Sequence, residues 1–153
     1  MKSRTATLYF LAAVACVASI RADNWPHWRG PDRNGVSSES GIPSHWTESK
    51  NVVWRLALPE TSGSTPIIWG DHVFLNVAQG KDLSLWAISR IDGSVLWRRP
   101  LDDRNEDKRK GNMSSPSPVT DGETVWVMTG TGVFTAFDFA GEKLWQRDLQ
   151  KDY

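Results

Sequence analysis

The side chains that could perform acid–base or metal chemistry are few, and they lie far apart in the sequence. His27 and His45 occur in a stretch rich in proline and glycine, and His72 begins an apolar run. No two of them have the i, i+4 or clustered spacing that binds zinc. The histidines therefore predict no metal site.

The acidic and hydroxyl side chains also lack the spacing of a metal or catalytic site. Residues 102–112, DDRNEDKRKGN, alternate acids with bases and lack the Asp-x-Asp-x-Asp-Gly spacing of a calcium loop. Such a charge run is typical of a solvated loop. Ser114, Ser115 and Ser117 have no partnered base and no Gly-x-Ser-x-Gly elbow, and no helix follows the Gly-Thr-Gly at 130–132 to make it a phosphate loop. We predict no catalytic residue.

Two stretches of the sequence match each other and indicate the framework. Residues 85–97 read LWAISRIDGSVLW, and residues 134–145 read FTAFDFAGEKLW. Both contain Gly-x-x-x-Trp, at 93/97 and at 141/145. Upstream, Thr-Pro-Ile at 65–67 corresponds to Ser-Pro-Val at 117–119. A self-similar unit of about 40 to 50 residues is typical of a propeller blade or a solenoid turn.

Each unit contains four predicted strands separated by turn-forming residues. The strands are predicted at 65–69, 72–78, 83–89 and 95–101, and again at 115–119, 124–129, 133–138 and 143–149. Asp92-Gly93 favours a two-residue hairpin between the last two strands of the first unit. A further strand is predicted at 52–58, and no segment after residue 22 has helical spacing. The pattern predicts an all-β propeller with four-stranded antiparallel blades, blade 1 at about 63–101 and blade 2 at about 114–150.

Residues 1–22 have the layout of a secretory signal peptide. Lys2 and Arg4 precede an apolar run at 8–17, and Ala22 is a small residue suited to cleavage. Cleavage there would remove Cys16, the only cysteine, so no disulfide is predicted. An uncleaved anchor, a buried helix and a lipid anchor at Cys16 are the alternatives. We expect export to the periplasm, the cell envelope or the medium.

The remaining composition limits the partners. The chain has 18 basic and 18 acidic residues, and removal of Lys2, Arg4 and Arg21 would leave 15 against 18. A near-neutral balance without a basic block gives no electrostatic reason to expect nucleic acid. Nothing predicts a second membrane segment. Residues 23–50 are broken by proline and glycine but contain three tryptophans, which predicts an irregular arm strapped onto the domain at 51–153.

The matching stretches resemble the tryptophan-docking motif of pyrroloquinoline-quinone (PQQ) propeller repeats, Ala-x-Asp-x-x-x-Gly-x-x-x-Trp. The motif positions are filled by Ala87, Ser89, Gly93 and Trp97 in the first stretch and by Ala136, Asp138, Gly141 and Trp145 in the second. The second stretch has one residue fewer before its glycine. WPHWRGP at 25–31 is similar to the opening of secreted bacterial PQQ-like repeat proteins.

The resemblance, to the quinoprotein dehydrogenase-like and BamB-like superfamily, implies a propeller of seven or eight blades. This chain would supply about two, so we expect it to be the front portion of a longer protein. The resemblance implies that each motif tryptophan stacks on the alanine and glycine backbone of the neighbouring blade. The residues predicted to act as a structural docking motif are Ala87, Gly93, Trp97, Ala136, Asp138, Gly141 and Trp145.

Three functions stay open on the sequence. The one we expect is a non-catalytic scaffold of the cell envelope that binds a protein partner, because every repeated residue has a packing role. The resemblance also allows the front part of a PQQ-dependent dehydrogenase, with PQQ and calcium as cofactors on the propeller axis. The third is a sensor or partner domain of a larger assembly. The ligand and the partner cannot be identified from these residues.

Overall fold

The computed structural model describes residues 23–152, which form two four-stranded antiparallel sheets. Blade 1 has the strand order β1-β2-β3-β4 and blade 2 the order β5-β6-β7-β8. The elements are β1 (Ile67–Trp69), β2 (His72–Gln79), β3 (Asp82–Ser89), β4 (Val95–Asp102), β5 (Val119–Thr120), β6 (Thr124–Met128), β7 (Val133–Asp138), β8 (Lys143–Asp148) and the one-turn helix α1 (Leu149–Asp152). The predicted all-β fold with four-stranded blades is confirmed.

The last hairpin of each blade turns at a glycine that a side chain would strain. Gly93, between β3 and β4, has φ +73°, and Gly141, between β7 and β8, has φ +84°. L-residues avoid this left-handed region because of their Cβ atom. Both glycines are also buried, so each turn lies against a neighbouring group and does not project into water.

The main core lies between the two blades. It joins side chains of blade 1 to Val125, Val127 and Phe137 of blade 2, all at most 1% exposed. The blade 1 members include Ile67, Phe74, Leu83, Leu85, Ala87 and Leu101. A second cluster lies on the other side of blade 1, where Val73, Leu75, Val77, Trp86 and Ile88 pack against Trp54 and Leu56. Both faces of blade 1 are therefore covered, as a propeller blade requires.

The structure corrects three expectations about the elements. The strand predicted at 52–58 is wrong, because among residues 23–152 no strand pairs with this segment, whose Trp54 and Leu56 side chains pack on blade 1. β5 begins at Val119 rather than at residue 115, since Pro116 and Pro118 cannot donate to a ladder. A short helix, Leu149–Asp152, follows β8 where only a strand end was expected.

The arm over residues 23–50 contacts the blades mainly near its start. Trp25 makes an isolated antiparallel bridge with Ile68, whereas Trp28 and Trp46 are 62% and 68% exposed. The expectation that all three tryptophans cover the domain is therefore wrong for the last two. The predicted signal peptide, residues 1–22, lies outside the described residues. Among residues 23–152, no helix is long and apolar enough to cross a membrane.

Candidate functional site

Trp97 of blade 1 lies against the last turn of blade 2. Its indole Nε1 donates a 2.9 Å hydrogen bond to the carbonyl of Phe139. The ring covers Gly141 so closely that a Cβ at that position would be 2.9 Å from Trp97 Cδ2. Trp97 is also within 6.2 Å, centroid to centroid, of Phe137. The contact joins the blades through packing and one directed hydrogen bond.

Arg99 reinforces this contact from two residues further along β4. Its Nε donates a 2.6 Å hydrogen bond to the carbonyl of Gly141, and its guanidinium lies 3.9 Å from the carboxylate of Glu142. The guanidinium is also 5.6 Å from the centroid of the Trp97 ring. Gly141 is thus held between an indole and an arginine of the preceding blade.

Trp54 makes the same contact with blade 1, although it belongs to no strand. Its Nε1 donates a 2.8 Å hydrogen bond to the carbonyl of Arg90, and a Cβ on Gly93 would be 2.6 Å from Trp54 Cδ2. Sequence reasoning missed this role because no alanine and glycine precede Trp54. The available signal was the similarity of Val-Trp-Arg-Leu at 53–56 to the segments around Trp97 and Trp145.

The remaining residues of the predicted motif shape the turns. Ala87 pairs with both Phe74 and Trp97 in the sheet and is fully buried, and Ala136 is buried in the same way. Asp138 accepts a 2.8 Å hydrogen bond from the backbone N–H of Glu142, which fixes the turn that contains Gly141. The structure brings Gly141 to Trp97, and it leaves Trp145 41% exposed with the Phe134 ring at its edge.

A polar cluster joins the two blades at the opposite end of the β7–β8 hairpin. Asp102, at the end of β4, accepts hydrogen bonds from the Arg104 guanidinium and from the Thr131 hydroxyl. Arg104 also donates a 2.9 Å hydrogen bond to Asp148, which pairs with Lys151 at 3.1 Å. The sequence suggested only a solvated charge run here, and nothing local indicated that Thr131 would complete the cluster.

The charges of this cluster are tuned by their partners. Partial burial works to raise the pKa of Asp102, but the hydrogen bonds from Arg104 and Thr131 outweigh it and hold that pKa below its ordinary value. The hydrogen bond from Lys151 lowers the pKa of Asp148. At the β3–β4 turn, the Ser89 and Ser94 hydroxyls lower the pKa of Asp92 to about 2. These lowered pKa values keep all three carboxylates ionised at neutral pH.

The inner strands of both blades are bridged by the start of the arm. Trp25 exchanges backbone hydrogen bonds of 2.8 and 2.9 Å with Ile68 of β1. The carbonyl of Pro26 accepts a 3.0 Å hydrogen bond from Thr120 of β5. Asn24 adds a side-chain bond, since its Oδ1 accepts from Gly70 N–H at 2.8 Å. The arm therefore occupies backbone positions on the inner edge of each sheet.

This inner edge does not by itself fit the PQQ and calcium that the resemblance allowed. β1 and β5 carry apolar and hydroxyl side chains, and Asp121, which follows β5, accepts the backbone N–H groups of Glu123 and Thr124. Among residues 23–152, no three His, Cys, Asp or Glu side chains are grouped to hold a metal ion. His72 packs between Phe74 and Phe139, with ring centroids at 5.7 and 5.3 Å.

An open cavity of about 640 Å³ lies along the outer strand β4. Arg98 stacks over Trp86 beside it, 4.2 Å from the ring centroid, and Trp86 Nε1 donates to the Ser84 hydroxyl. Asp82, Asp103 and Lys143 also line it, so both signs of charge are present without converging on one point. Its chemistry favours no particular ligand.

Comparison with known proteins identifies the family. The family model PQQ_2, described as outer membrane protein assembly factor BamB, matches residues 36–152. No curated protein matches the chain. Among solved structures, the crystal structure of BamB from Moraxella catarrhalis matches with 23% identity and a TM-score of 0.47, over 62% of this chain and 26% of that chain. The chain therefore spans about a quarter of the length of that protein. The family match covers most of the chain and confirms the predicted resemblance: the chain belongs to this family of PQQ-like β-propeller repeat proteins.

Proposed function

We propose that the protein is a non-catalytic β-propeller of the cell envelope that acts as a scaffold for protein partners. The observation that carries the proposal is the family match over residues 36–152, whose model is described as an outer membrane protein assembly factor. The contacts of the repeated residues support it. Trp54 and Trp97 each join one part of the fold to the next through an indole hydrogen bond to a backbone carbonyl.

The docking residues follow from the same proposal. Trp97 and Trp145, together with Ala87, Gly93, Ala136, Asp138 and Gly141, serve to assemble blades and take no part in catalysis. The fit of Trp97 over Gly141 and the bond from its indole to Phe139 support this role. The chain is then organised as a signal peptide at 1–22, an arm at 23–50 and propeller repeats at 51–153.

Export is part of the proposal. The basic start, the apolar run at 8–17 and the small residue at 22 support secretion across the inner membrane. Work in the periplasm or at the envelope agrees with the description of the family. A protein released there meets outer-membrane proteins before they insert, which is where an assembly scaffold acts.

Two measurements test the scaffold. Purified protein supplied with PQQ and calcium is expected to show no oxidation of alcohols or sugars with a dye as electron acceptor. Deletion of the gene from its host is expected to lower the amount of folded outer-membrane proteins, and a plasmid copy is expected to restore it. As a matched pair, a Trp28→Ala copy should also restore the amount, because Trp28 is exposed, whereas a Trp97→Ala copy should restore much less.

Either of two results would contradict the proposal. Dye reduction that depends on added PQQ would make the protein a quinoprotein oxidoreductase. Unchanged outer-membrane protein amounts in the deletion strain, with the protein shown by immunoblot to be made in the parent, would remove the assembly role.

A further inference from the structure

The loop between β4 and β5 presents three consecutive basic residues at a tight turn. Lys108 and Gly111 exchange backbone hydrogen bonds of 2.7 and 3.1 Å, which places Arg109 and Lys110 at the two central positions of the turn. All three basic side chains are exposed. Lys108 pairs with Glu106 at 2.6 Å, whereas neither Arg109 nor Lys110 forms an ion pair with another residue of 23–152. Two positive charges are therefore available to a ligand.

Two buried asparagines hold the base of this turn in place. Asn105 is 4% exposed, and its Nδ2 donates a 2.7 Å hydrogen bond to the carbonyl of Gly80 while its Oδ1 accepts from the N–H of Met113 at 3.1 Å. Asn112 is 7% exposed, and its Nδ2 donates a 2.9 Å hydrogen bond to the carbonyl of Thr61. Because both ends of the turn are fixed to blade 1 and the segment before it, little conformational entropy is lost when the turn binds a ligand.

Segment 61–63, which precedes β1, lines the same cavity as the basic turn. The cavity has a volume of about 520 Å³. Ser62 is held by Ser114, with 2.7 Å between the two Oγ atoms and 3.2 Å from Ser62 Oγ to the Ser114 carbonyl. The backbone N–H groups of Ser62 and Gly63 donate to no group in the part of the chain that the structure describes. The cavity is thus lined by residues that offer two backbone donors and two available cations.

This combination of groups favours phosphate as the ligand. Backbone N–H groups and arginine are the donors that proteins use for phosphate oxygens, and lysine adds a point charge. The lining contains three basic residues and one acid, Asp107, so its balance favours an anion. Polybasic segments that bind a membrane by charge alone carry roughly four to eight basic residues, which is more than this turn has. The arrangement therefore suits one bound anionic group better than a broad charged surface.

We infer that this cavity binds a phosphate group, carried by a soluble phosphate compound or by a lipid headgroup. The N–H groups of Ser62 and Gly63 and the Arg109 guanidinium would donate to the phosphate oxygens, and Lys110 would supply further positive charge. The inference goes beyond the scaffold function, because it assigns an anion site to loops outside the docking motif.

The test follows the backbone amide signals of Ser62 and Gly63 by NMR while sodium phosphate is added to the full chain at constant ionic strength. Both signals are expected to shift and to reach saturation, since each N–H gains a charged acceptor.

Variants of the chain identify the cations that bind. Arg109→Gln combined with Lys110→Gln should weaken phosphate binding about tenfold, which corresponds to the loss of about one charge-assisted hydrogen bond. The matched control combines Lys50→Gln with Arg55→Gln, which removes the same charge from exposed positions in another segment. The control should leave the phosphate affinity unchanged.

Further probes distinguish the sources of the phosphate group. Glucose 6-phosphate that binds more tightly than inorganic phosphate would assign the cavity to a soluble phosphomonoester, and equal or weaker binding would assign it to free phosphate. Vesicles of phosphatidylcholine with and without phosphatidylglycerol are sedimented with the chain. Sedimentation that needs phosphatidylglycerol and is lost in the variant at Arg109 and Lys110 would assign the cavity to a lipid headgroup.

Three results would overturn the inference. The first is no saturable shift of the Ser62 and Gly63 signals with any phosphate probe. The second is an unchanged phosphate affinity in the variant at Arg109 and Lys110. The third is a glutamate-rich peptide that binds the same residues more tightly than phosphate, which would assign the turn to an acidic polypeptide. Each is independent of the dye-reduction and gene-deletion measurements that test the scaffold function.

Discussion

Blade 1 and blade 2 carry the same row of side chains across their sheets but bury it differently. The row is Ile67, Phe74, Ala87 and Trp97 in blade 1 and Val119, Trp126, Ala136 and Trp145 in blade 2. The first three residues of the blade 1 row are fully buried, whereas Val119 and Trp145 are 40% and 41% exposed. Since the pattern is the same, the neighbouring sheet decides the burial. The sequence of a blade determines which side chains lie on each of its faces. Those side chains stabilise the fold only when a neighbouring sheet buries them.

The largest expected effect comes from removing the two equivalent tryptophans. Trp97→Ala should lower the free energy of unfolding by about 3–5 kcal/mol, because it leaves a cavity between the blades and removes the bond to Phe139. Trp145→Ala should cost less than about 1 kcal/mol, as exposed substitutions usually do. Urea denaturation followed by circular dichroism measures both. Equal losses would mean that burial between the blades does not distinguish the two positions.

The glycines under the tryptophans give a second test of the same contact. Gly141→Ala should destabilise by about 2–4 kcal/mol, from a positive φ and a Cβ 2.9 Å from Trp97. Gly80→Ala is the control, since Gly80 has φ +59° and nothing within 4 Å of the position that a Cβ would take, so it should cost only about 1–2 kcal/mol. Thermal unfolding of both variants gives the difference. If Gly141→Ala lowered the stability no more than Gly80→Ala does, the Trp97 indole would be able to move aside at no cost in free energy.

A third test compares the two ends of the blade 1–blade 2 contact, one apolar and one ionic. Asp102→Asn should cost about 1.5–3 kcal/mol at pH 7, because hydrogen bonds from Arg104 and Thr131 lose their charged acceptor. The folded pKa of Asp102 lies below its unfolded value, so this stability is present above the unfolded pKa and is lost as the pH falls through the folded pKa.

Urea denaturation from pH 7 down to pH 2.5 follows the effect. The difference between the unaltered chain and Asp102→Asn is expected to narrow below about pH 4, where unfolded aspartates begin to protonate. Trp97→Ala serves as the control, and its loss should stay the same over that range. If the difference in free energy of unfolding between the unaltered chain and Asp102→Asn stayed constant over this pH range, the ionised carboxylate would not be the source of the stabilisation.

The sequence predicted the blades well because strand alternation and hairpin glycines are local signals. Asp92-Gly93 and Gly141 marked two turns that the structure contains. It failed where a contact depends on residues far apart. Segment 52–58 has the side-chain pattern of a strand. A strand also needs a neighbouring strand to pair with, and the local sequence does not say whether one is there. Trp28 and Trp46 were expected to find a surface because of their size, and among the described residues they remain largely in water.

The candidate site was only partly accessible to the same reasoning. The motif identified Trp97 and Gly141, yet spacing along the chain does not say which glycine a tryptophan covers. Asp102 and Thr131 are 29 residues apart, and neither stands out in its own segment. Arg99 lies outside the motif and acquires a role only through the turn that Trp97 brings beside it.

The smallest expected effect tests whether Arg99 makes the Trp97 contact differ from the Trp54 contact. Arg99→Leu, which copies Leu56, should cost about 1 kcal/mol through the lost hydrogen bond to the Gly141 carbonyl. Glu142→Ser, which copies Ser94, should cost less, since the ion pair is 3.9 Å long and exposed. A double-mutant cycle in low salt should give a coupling of about 0.3–1 kcal/mol that falls as salt is added. A coupling of zero would mean that the arginine does not sense the residue after the glycine. The ion pair between Arg99 and Glu142 would then add nothing to the Trp97 contact.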